Sequence, residues 1–314
     1  METKETKYSY SRMDTYKSCP FKYKLQYLDG HYVNKGSIAT EFGTAIHKTE
    51  ELIAKAIQAG KEINYVAIKQ KLTTELLRLQ AVYPEDYFTK DSKSNRTYQD
   101  KALEYLSHSI YNLERHMKAH PELEIVGIEQ EFNIRLETGQ CFGGFIDRVF
   151  HDKLADTYII QDIKTWATLA ESSDLATPLQ FVIYTLAGQS LYNTPAEKIT
   201  CQYYLPLVKN GVVQNGGTKG FLLRGAKKLQ ELFAHIAANE FAPKPSPLCT
   251  WCNFSHLNKN APEDTKYLCP YHMNWTKEFH DFSKEMEWKG LAYHEQILEE
   301  YRKKYNISEN ITKN

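Results

Sequence analysis

Two short apolar segments that carry acidic residues constrain the fold of this chain most strongly. The first, Gly-Phe-Ile-Asp-Arg-Val, contains Asp147, and the second, Ile-Gln-Asp-Ile-Lys-Thr, contains Asp162 and Lys164. Apolar and polar residues alternate in both segments, which predicts β-strands. Residues i and i+2 of a strand project from one face, so Asp162 and Lys164 point the same way. If the two strands are neighbours, both carboxylates and the amine converge at one strand end.

Two carboxylates beside a lysine indicate a site for a hard divalent cation. Mg²⁺ takes one or two carboxylates and keeps waters or a substrate phosphate as its other ligands. A nearby lysine can stabilise negative charge or orient an attacking water. An isolated Asp-x-Lys sequence is more often a surface ion pair, but the second aspartate and the apolar flanks favour the cation site here.

The composition excludes few classes of protein. The 314 residues suffice for a large core, and 39 basic against 39 acidic side chains predict no particular partner from net charge. No run of about 18 apolar residues exists, so we expect no membrane span. The polar N-terminus does not resemble a secretory signal, which predicts a cytoplasmic protein with reduced thiols.

The periodicity predicts a fold of class α/β with three regions. Residues 1–120 form a helical region that carries Cys19 and His47, and residues 121–210 form the core with the two aspartates. Residues 211–314 contribute helices and a cysteine-rich segment that packs with residues 1–30 as one unit. Within them, helices are predicted over 8–28 (capped by Ser11 and broken at Pro20), 43–58 (ending at Gly60), 62–120 (broken near 83–97), 178–188, 218–239 and 275–304.

Strands are predicted where residues alternate in polarity, and turns where glycine and asparagine cluster. The predicted strands are Glu124–Leu136, Cys141–His151, Asp156–Lys164 and Lys198–Val208. Thr177-Pro178 is expected to start the helix that ends near Gly188. Asn210-Gly211 and Asn215-Gly216-Gly217 are predicted turns. No dinucleotide fingerprint or phosphate-binding P-loop is present in the sequence.

Four motifs in this order resemble those of the PD-(D/E)xK nuclease superfamily, in its RecB-like branch. They are Gly43-Thr-Ala-Ile-His47, the Asp147 segment, Asp162-Ile-Lys164-Thr165 and Gln180-Phe-Val-Ile-Tyr184. The resemblance covers roughly residues 8–30, 42–58, 124–208 and 245–275. It implies a restriction-endonuclease-like core, in which helices flank a mixed central sheet, with an N-terminal helical elaboration and a C-terminal cysteine-rich segment.

The resemblance also implies a set of site residues. His47, Asp147, Asp162 and the main-chain carbonyl of Ile163 would hold Mg²⁺ or Mn²⁺, and Lys164 would position the water. Gln180 and Tyr184 share one helical face and would contact DNA phosphates or order the lysine. The alternatives are a boundary histidine at His47 and ordinary helix packing at Tyr184.

Other polar residues near these motifs are candidates as well. Some relatives carry an acidic residue before the first aspartate, so Glu129 or Glu131 is a candidate ligand, with Glu129 preferred; a solvated strand face is the alternative. Basic side chains are candidates for contacts with DNA phosphates, with a solvated face as the alternative for each: Arg148, Arg224, Lys227 and Lys228.

Four of the six cysteines follow a pattern that RecB-like nucleases use for a [4Fe–4S] cluster. One ligand, Cys19, would lie upstream of the core, and Cys249, Cys252 and Cys269 downstream. The long gap before Cys269 also suits zinc, bound by the three downstream cysteines and His272. Only the cluster requires Cys19, which separates the two interpretations. Cys141 and Cys201 lie in predicted strands and are expected to be buried structural residues.

By resemblance, the chain is expected to be a bacterial or phage-encoded, metal-dependent deoxyribonuclease, and an exonuclease rather than an endonuclease. Its substrate would be single-stranded DNA or DNA with free ends, in recombination, repair, CRISPR adaptation or phage DNA processing, with a helicase, recombination or adaptation protein as partner. Two alternatives remain open. One is a non-catalytic DNA-binding or assembly subunit on a nuclease fold, and the other is a zinc-stapled binding protein whose Asp-x-Lys is incidental.

Overall fold

A mixed β-sheet organises the larger part of the chain in this computed structural model. Among the described residues its strands are β1 (Lys7–Tyr8), β2 (Leu123–Arg135), β3 (Cys141–Asp152), β4 (Thr157–Ile163), β5 (Ile199–Tyr204) and β6 (Val212–Asn215). β3 pairs antiparallel with β2 and with β4, and β1 runs parallel to the start of β3. β4 is parallel to β5, and β5 is antiparallel to β6.

The structure describes residues 6–31, 36–91, 94–165, 178–208, 211–215, 219–269 and Lys303. It divides into two units that are each made from separate parts of the chain. The first unit combines Met1–Ser9 with Gly36–Leu229 and contains the sheet. The second combines Tyr10–Lys35 with Gln230–Asn314 and contains Cys19 together with Cys249, Cys252 and Cys269.

Helices precede, interrupt and follow the sheet along the chain. The α-helices of the described residues are α1 (Tyr10–Ser18), α2 (Pro20–Tyr23), α3 (Ile38–Gln58), α4 (Tyr65–Val82), α5 (Pro84–Phe88), α6 (Tyr98–Ser107), α7 (Asn112–Ala119), α8 (Leu179–Tyr192) and α9 (Lys219–Ala237). Short 3-10 turns cover Ser109–Tyr111, Ala196–Lys198 and Pro247–Trp251, and a π-helical turn covers Lys24–Leu28. The mixed α/β class with a restriction-endonuclease-like core is confirmed.

The hydrophobic core of the first unit lies between α3–α7 and the sheet. Residues from α3, such as Ile46 and Ile53, are fully buried and belong to the same cluster as Phe150 of β3. Burial of such side chains contributes roughly 1.5–3 kcal/mol each. This packing fixes α3, which carries His47, against the strands that carry the aspartates.

The helix that carries His47 is longer than its sequence pattern predicts. It begins at Ile38 rather than Gly43, because the side chain of Ser37 accepts a hydrogen bond from the backbone N–H of Thr40 and caps the helix. Gly60, in a left-handed conformation (φ +60°), follows its end as predicted. The prediction of an N-terminus at Gly43 was wrong because it relied on the amphipathic stripe rather than on the cap.

The helix after β4 also extends beyond its predicted end. α8 continues past Gly188 to Tyr192, where Asn193 adopts a left-handed conformation. A side chain at Gly188 would come within 2.8 Å of Ile160 and 3.0 Å of Ile199. Glycine therefore allows the helix to lie close to β4 and β5, and it does not terminate the helix.

Two further predictions about local structure were wrong. Helix α1 begins at Tyr10, so Ser11 is not its N-cap, although the predicted break at Pro20 is present. Asn215, predicted as part of a turn, is the last residue of strand β6, and β5 ends at Tyr204 rather than at Val208. The predicted helix over 275–304 (apart from Lys303), Thr177, Asn210 and Gly216-Gly217 lie outside the described residues.

The second unit packs aromatic rings around the join between α1 and α2. Tyr23 stacks on Phe241, and Tyr16 meets the Tyr23 ring edge-on at 5.3 Å. The hydroxyl of Tyr16 donates a hydrogen bond of 2.7 Å to the carbonyl of Glu240. Cys19 lies between the two helices as the N-cap of α2, next to Pro20 at the first helical position.

Candidate active site

Asp147 and the end of β4 meet where β3 and β4 stop pairing. The ladder between these strands runs from Asp152 and Thr157 to Arg148 and Gln161. Immediately beyond it, Oδ2 of Asp147 accepts a hydrogen bond of 2.6 Å from the backbone N–H of Ile163. This contact holds the carboxylate of one strand against the Asp162–Lys164 segment of the other, as the sequence analysis expected.

Three side chains around Asp147 form a group that could hold a metal ion. One donor atom each from His47, Glu129 and Asp147 lie within 4.8 Å of one another, and no other such group of His, Cys, Asp or Glu occurs among the described residues. Nδ1 of His47 is 3.4 Å from Oδ2 of Asp147. Two carboxylates and an imidazole are a suitable donor set for Mn²⁺, and the carboxylates also suit Mg²⁺.

Glu129 reaches this group because the backbone of β2 is irregular. Ile128 pairs with Arg148 and Gln130 with Ile146, so Glu129 lies across from Asp147. Glu129 itself has a positive φ of 45°, which is rare for a residue with a side chain and often marks a functional constraint. Glu131 is exposed farther along the strand. The structure thus places Glu129, the preferred candidate, beside the other ligands.

Asp162 lies in the interior beside Lys164. Its side chain is 5% exposed, and its Oδ2 lies 2.7 Å from Nζ of Lys164. Oδ2 is buried and receives no well-directed hydrogen bond in the described part of the chain. The ammonium group of Lys164 is therefore its close partner, and the oxygen keeps lone pairs with which it could also bind a cation.

Gln180 and Tyr184 of α8 hold the other oxygen of Asp162. Nε2 of Gln180 donates a hydrogen bond of 2.6 Å to Oδ1, and the hydroxyl of Tyr184 donates one of 3.0 Å to the same atom. Nε2 of Gln180 also donates to the Tyr184 hydroxyl at 3.0 Å. The two side chains are therefore buried partners of Asp162 rather than surface groups that contact DNA directly.

Three side chains at the candidate site, Asp162, Glu129 and His47, have a pKa above the ordinary value. Burial raises the pKa of Asp162, and this exceeds the opposite effect of Lys164. Burial and the charge of Asp147 raise the pKa of Glu129. Burial alone would lower the pKa of His47, but Asp147 and Asp162 reverse this, and the pKa is raised. A bound cation would displace these protons and relieve the repulsion between the carboxylates.

Gly43 allows α3 to approach the end of β4. A side chain at this position would come within 3.3 Å of the hydroxyl of Thr165, which follows Lys164. His47 lies one turn farther along the same helix and faces Asp147. The glycine of the histidine motif therefore has a steric role that sets the distance between the helix and the sheet.

The prediction that Arg148 contacts DNA phosphates was wrong. Arg148 is only 2% exposed, and its Nη1 lies 3.2 Å from Oε2 of the buried Glu50. Its neighbour Asp147 faces the candidate site, so strand alternation turns the guanidinium away from it. Arg224, Lys227 and Lys228 lie exposed on α9, and their contact with DNA stays a prediction.

The cysteines of the predicted cluster lie in the second unit. Sγ of Cys19 accepts hydrogen bonds of 3.5 Å from the backbone N–H groups of Lys22 and Lys244. Burial raises the pKa of Cys249 and Cys252, and the charge of Cys19 raises both further. The backbone N–H of Cys269 donates to the carbonyl of Phe254, close to Cys252 in the chain. His272 lies outside the described residues. Cys201 is buried as predicted, whereas Cys141 is only partly buried.

A comparison of the chain with profiles of known protein families identifies its superfamily. A profile of the PD-(D/E)XK nuclease superfamily matches residues 7–257, which include every candidate ligand of the cation site. The chain belongs to the PD-(D/E)XK nuclease superfamily. The search among curated proteins found no match.

Two solved structures are similar to this superfamily member. One is described as a putative exonuclease from Eubacterium rectale and is 13% identical in sequence to this chain. The superposition covers 78% of this chain and 86% of the exonuclease chain, with a TM-score of 0.42. The other, SSO0001, is 15% identical in sequence. The superposition covers 81% of this chain and 96% of the SSO0001 chain, with a TM-score of 0.27. No described helix of this nuclease-superfamily chain is long and apolar enough to cross a membrane.

Proposed function

We propose that this chain is a metal-dependent deoxyribonuclease of the RecB-like branch, acting as an exonuclease on single-stranded DNA or DNA ends. The observation that carries the proposal is the convergence of four side chains at the end of β3 and β4. His47, Glu129 and Asp147 lie close enough together to share a cation, and Asp162, which interacts electrostatically with both His47 and Asp147, lies beside them. Lys164, whose Nζ is 2.7 Å from Oδ2 of Asp162, supplies a positive charge.

The donor set fits Mn²⁺ or Mg²⁺, with His47, Glu129, Asp147, Asp162 and the main-chain carbonyl of Ile163 as ligands. A bound divalent cation supplies charge for the scissile phosphate and lowers the pKa of water. Lys164 would donate a hydrogen bond to the attacking water or to the developing negative charge. Gln180 and Tyr184 would hold Asp162 by Oδ1, so that Oδ2 would face both Lys164 and the cation.

We further propose that the second unit carries a [4Fe–4S] cluster on Cys19, Cys249, Cys252 and Cys269. What supports this proposal is that all four cysteines belong to the second unit and that the charge of Cys19 raises the pKa of both Cys249 and Cys252, as expected of neighbouring thiols. Backbone N–H groups directed at Sγ of Cys19 would stabilise the thiolate that such a cluster needs as a ligand.

The experiment that tests the nuclease is an assay with end-labelled single-stranded and double-stranded DNA and protein purified without oxygen. Degradation should require Mn²⁺ or Mg²⁺, stop in EDTA and vanish in Asp162→Ala, and end labels at either terminus would reveal the direction of cleavage. A matched control is Asp156→Ala, whose carboxylate lies on the exposed turn between β3 and β4 and pairs with Lys198. Wild-type protein that binds DNA but cleaves it with neither metal would contradict the proposal and favour a non-catalytic binding subunit.

A further inference from the structure

A buried polar network lies directly behind the candidate cation site. Nη1 of Arg148 is 3.2 Å from Oε2 of Glu50, and Nε of Arg148 donates a hydrogen bond of 2.8 Å to Oε1 of Gln161. The hydroxyl of Tyr105 donates a hydrogen bond of 2.9 Å to the other oxygen of Glu50. All four side chains are at most 4% exposed, so water does not compete for these contacts.

Each charged or amide member of the network adjoins one candidate ligand in the sequence. Glu50 follows His47 by one turn of α3, Arg148 directly follows Asp147 on β3, and Gln161 directly precedes Asp162 on β4. The network therefore joins the three elements that bring the ligands together. Any shift of α3 against β3 or β4 would break at least one of its hydrogen bonds.

The energetics of buried ion pairs indicate that this network is not needed for stability alone. Desolvation of two charges offsets most of their attraction, and apolar residues of similar volume often stabilise a protein as well. An arginine, however, presents its N–H groups in a rigid planar fork, which fixes distance and angle together. A metal site requires such control, because its ligands must be held to within about 0.5 Å.

We propose that Glu50, Arg148 and Gln161 are positioning residues that set the spacing of the cation ligands His47, Asp147 and Asp162. The inference rests on the cation site of the proposed function but not on cleavage of DNA. The proposal gives Arg148 a role, although this side chain does not take part in the proposed catalytic chemistry.

The test compares Mn²⁺ affinity, measured by calorimetry on metal-free protein, with the midpoint of thermal unfolding. In the double variant Glu50→Met/Arg148→Met, apolar side chains replace both charges but leave Gln161 and Tyr105 without these partners, so the midpoint should fall, as in the control below, while the affinity for Mn²⁺ falls at least about 10-fold. Arg148→Lys keeps the charge but loses the fork, and it should show the same loss of affinity. The control is Lys101→Met, which removes another buried charge, on α6, a helix that carries no candidate ligand.

Wild-type Mn²⁺ affinity in either the double variant or Arg148→Lys would overturn the proposal and leave the network a purely structural one. If the double variant does not fold, Arg148→Lys alone decides. A wild type that binds Mn²⁺ but never cleaves DNA would contradict the proposed nuclease function and leave the positioning role intact, so the two failures can be told apart. A wild type that binds no Mn²⁺ would overturn the positioning role as well.

A second inference comes from an exposed aromatic ring beside the same site. Phe145 is 57% exposed, although it lies in β3 two residues before Asp147. Residues two apart in a strand project to the same side and are about 7 Å apart. The Tyr184 hydroxyl oxygen lies 3.2 Å from the carbonyl oxygen of Phe145 and 3.0 Å from Oδ1 of Asp162, so the backbone that carries the ring lies near the candidate ligands.

Next to this ring, the edge of β3 pairs with no described strand, although the Tyr184 hydroxyl lies beside the Phe145 carbonyl. β1 pairs with Cys141 and Phe142 and β4 pairs from Arg148 onward, so the described strands leave 143–147 unpaired on this edge. Bases of single-stranded DNA stack on such exposed rings, whereas bases inside a duplex have no free face to offer. We infer that Phe145 stacks on an unpaired base next to the scissile phosphate and favours single-stranded DNA. The inference rests on the proposed function for its substrate.

The test measures binding of a single-stranded oligonucleotide in EDTA, where no cleavage occurs. Phe145→Ala should weaken binding between about 5-fold and about 150-fold, the range found when a stacked base loses its partner. Phe145→Trp should restore it, and Phe88→Ala, which removes an exposed ring from α5, should not change it. Unchanged affinity in Phe145→Ala would overturn the inference. Tight binding without any cleavage in Mn²⁺ would instead contradict only the nuclease function.

Discussion

The hydroxyl of Tyr184 donates a hydrogen bond of 3.0 Å to Oδ1 of Asp162, in the interior between α8 and β4. A hydrogen bond to a buried carboxylate is worth roughly 1.5–3 kcal/mol. Tyr184→Phe should therefore lower the rate of DNA cleavage about 10-fold to 100-fold, because Asp162 is no longer held in place. Steady-state assays on a labelled oligonucleotide measure this change.

A control for this prediction lies on the same helix. The hydroxyl of Tyr192 is buried and has no hydrogen-bond partner among the described residues. Tyr192→Phe removes the same atom without breaking a contact, so cleavage should continue at the wild-type rate. Equal losses in the two variants would indicate that the Tyr184 effect is a general disturbance of α8.

Glu129 and Glu131 provide a matched pair for the cation site. Glu129 contributes to the group with His47 and Asp147, whereas Glu131 is exposed on the same strand. Glu129→Gln should weaken Mn²⁺ binding at least about 10-fold, since it replaces an anionic ligand by a neutral one. Glu131→Gln should bind Mn²⁺ like the wild type. Calorimetric titration of both metal-free variants would show whether this difference exists.

The raised pKa of His47 predicts how stability depends on pH in EDTA. Because the folded chain binds this proton more tightly than the unfolded chain, the contribution is complete below the ordinary pKa of 6.5. It is lost as the pH rises through the raised value. The difference in free energy of unfolding between wild type and His47→Gln should therefore decrease from about pH 6 to about pH 8.

Urea unfolding at several pH values measures this difference. In an Asp147→Asn background the trend should disappear or reverse, because burial lowers the pKa of His47 and only Asp162 then remains to oppose it. With Mn²⁺ present the trend should reverse, since the metal binds the neutral imidazole. A difference that grows with pH in EDTA would contradict the assignment of His47 as a raised-pKa partner of Asp147.

Cys19 separates an iron–sulfur cluster from a zinc site. The cluster requires it, whereas zinc on the three downstream cysteines and His272 does not. Cys19→Ser, prepared without oxygen, should therefore lose iron, inorganic sulfide and the visible absorbance of the protein. Cys141→Ser, which alters a strand residue of the first unit, should retain all three. Zinc in the wild type, unchanged by Cys19→Ser, would contradict the cluster.

Much of the site could be predicted from local sequence because its signals are local. Asp162 and Lys164 are two apart on a strand, and Gln180 and Tyr184 are one turn apart on a helix, so secondary structure alone aligns each pair. The starts of two helices, by contrast, were predicted wrongly. Ser11 resembles an N-cap but lies inside α1, and Ser37, which was not singled out, caps α3. Similar short polar residues compete for such positions, and only the surrounding contacts select among them.

The alternation of apolar and polar residues by itself determined the three central strands, and the spacing of two aspartates and a lysine determined that these side chains meet at one strand end. The tertiary structure decided what depends on partners distant in the sequence. It turned Arg148 inward onto Glu50, and the positive φ of Glu129 placed a third carboxylate opposite Asp147. Alternation specifies which residues share a face of a strand, but burial, ion pairing and backbone irregularity depend on which elements pack against that face.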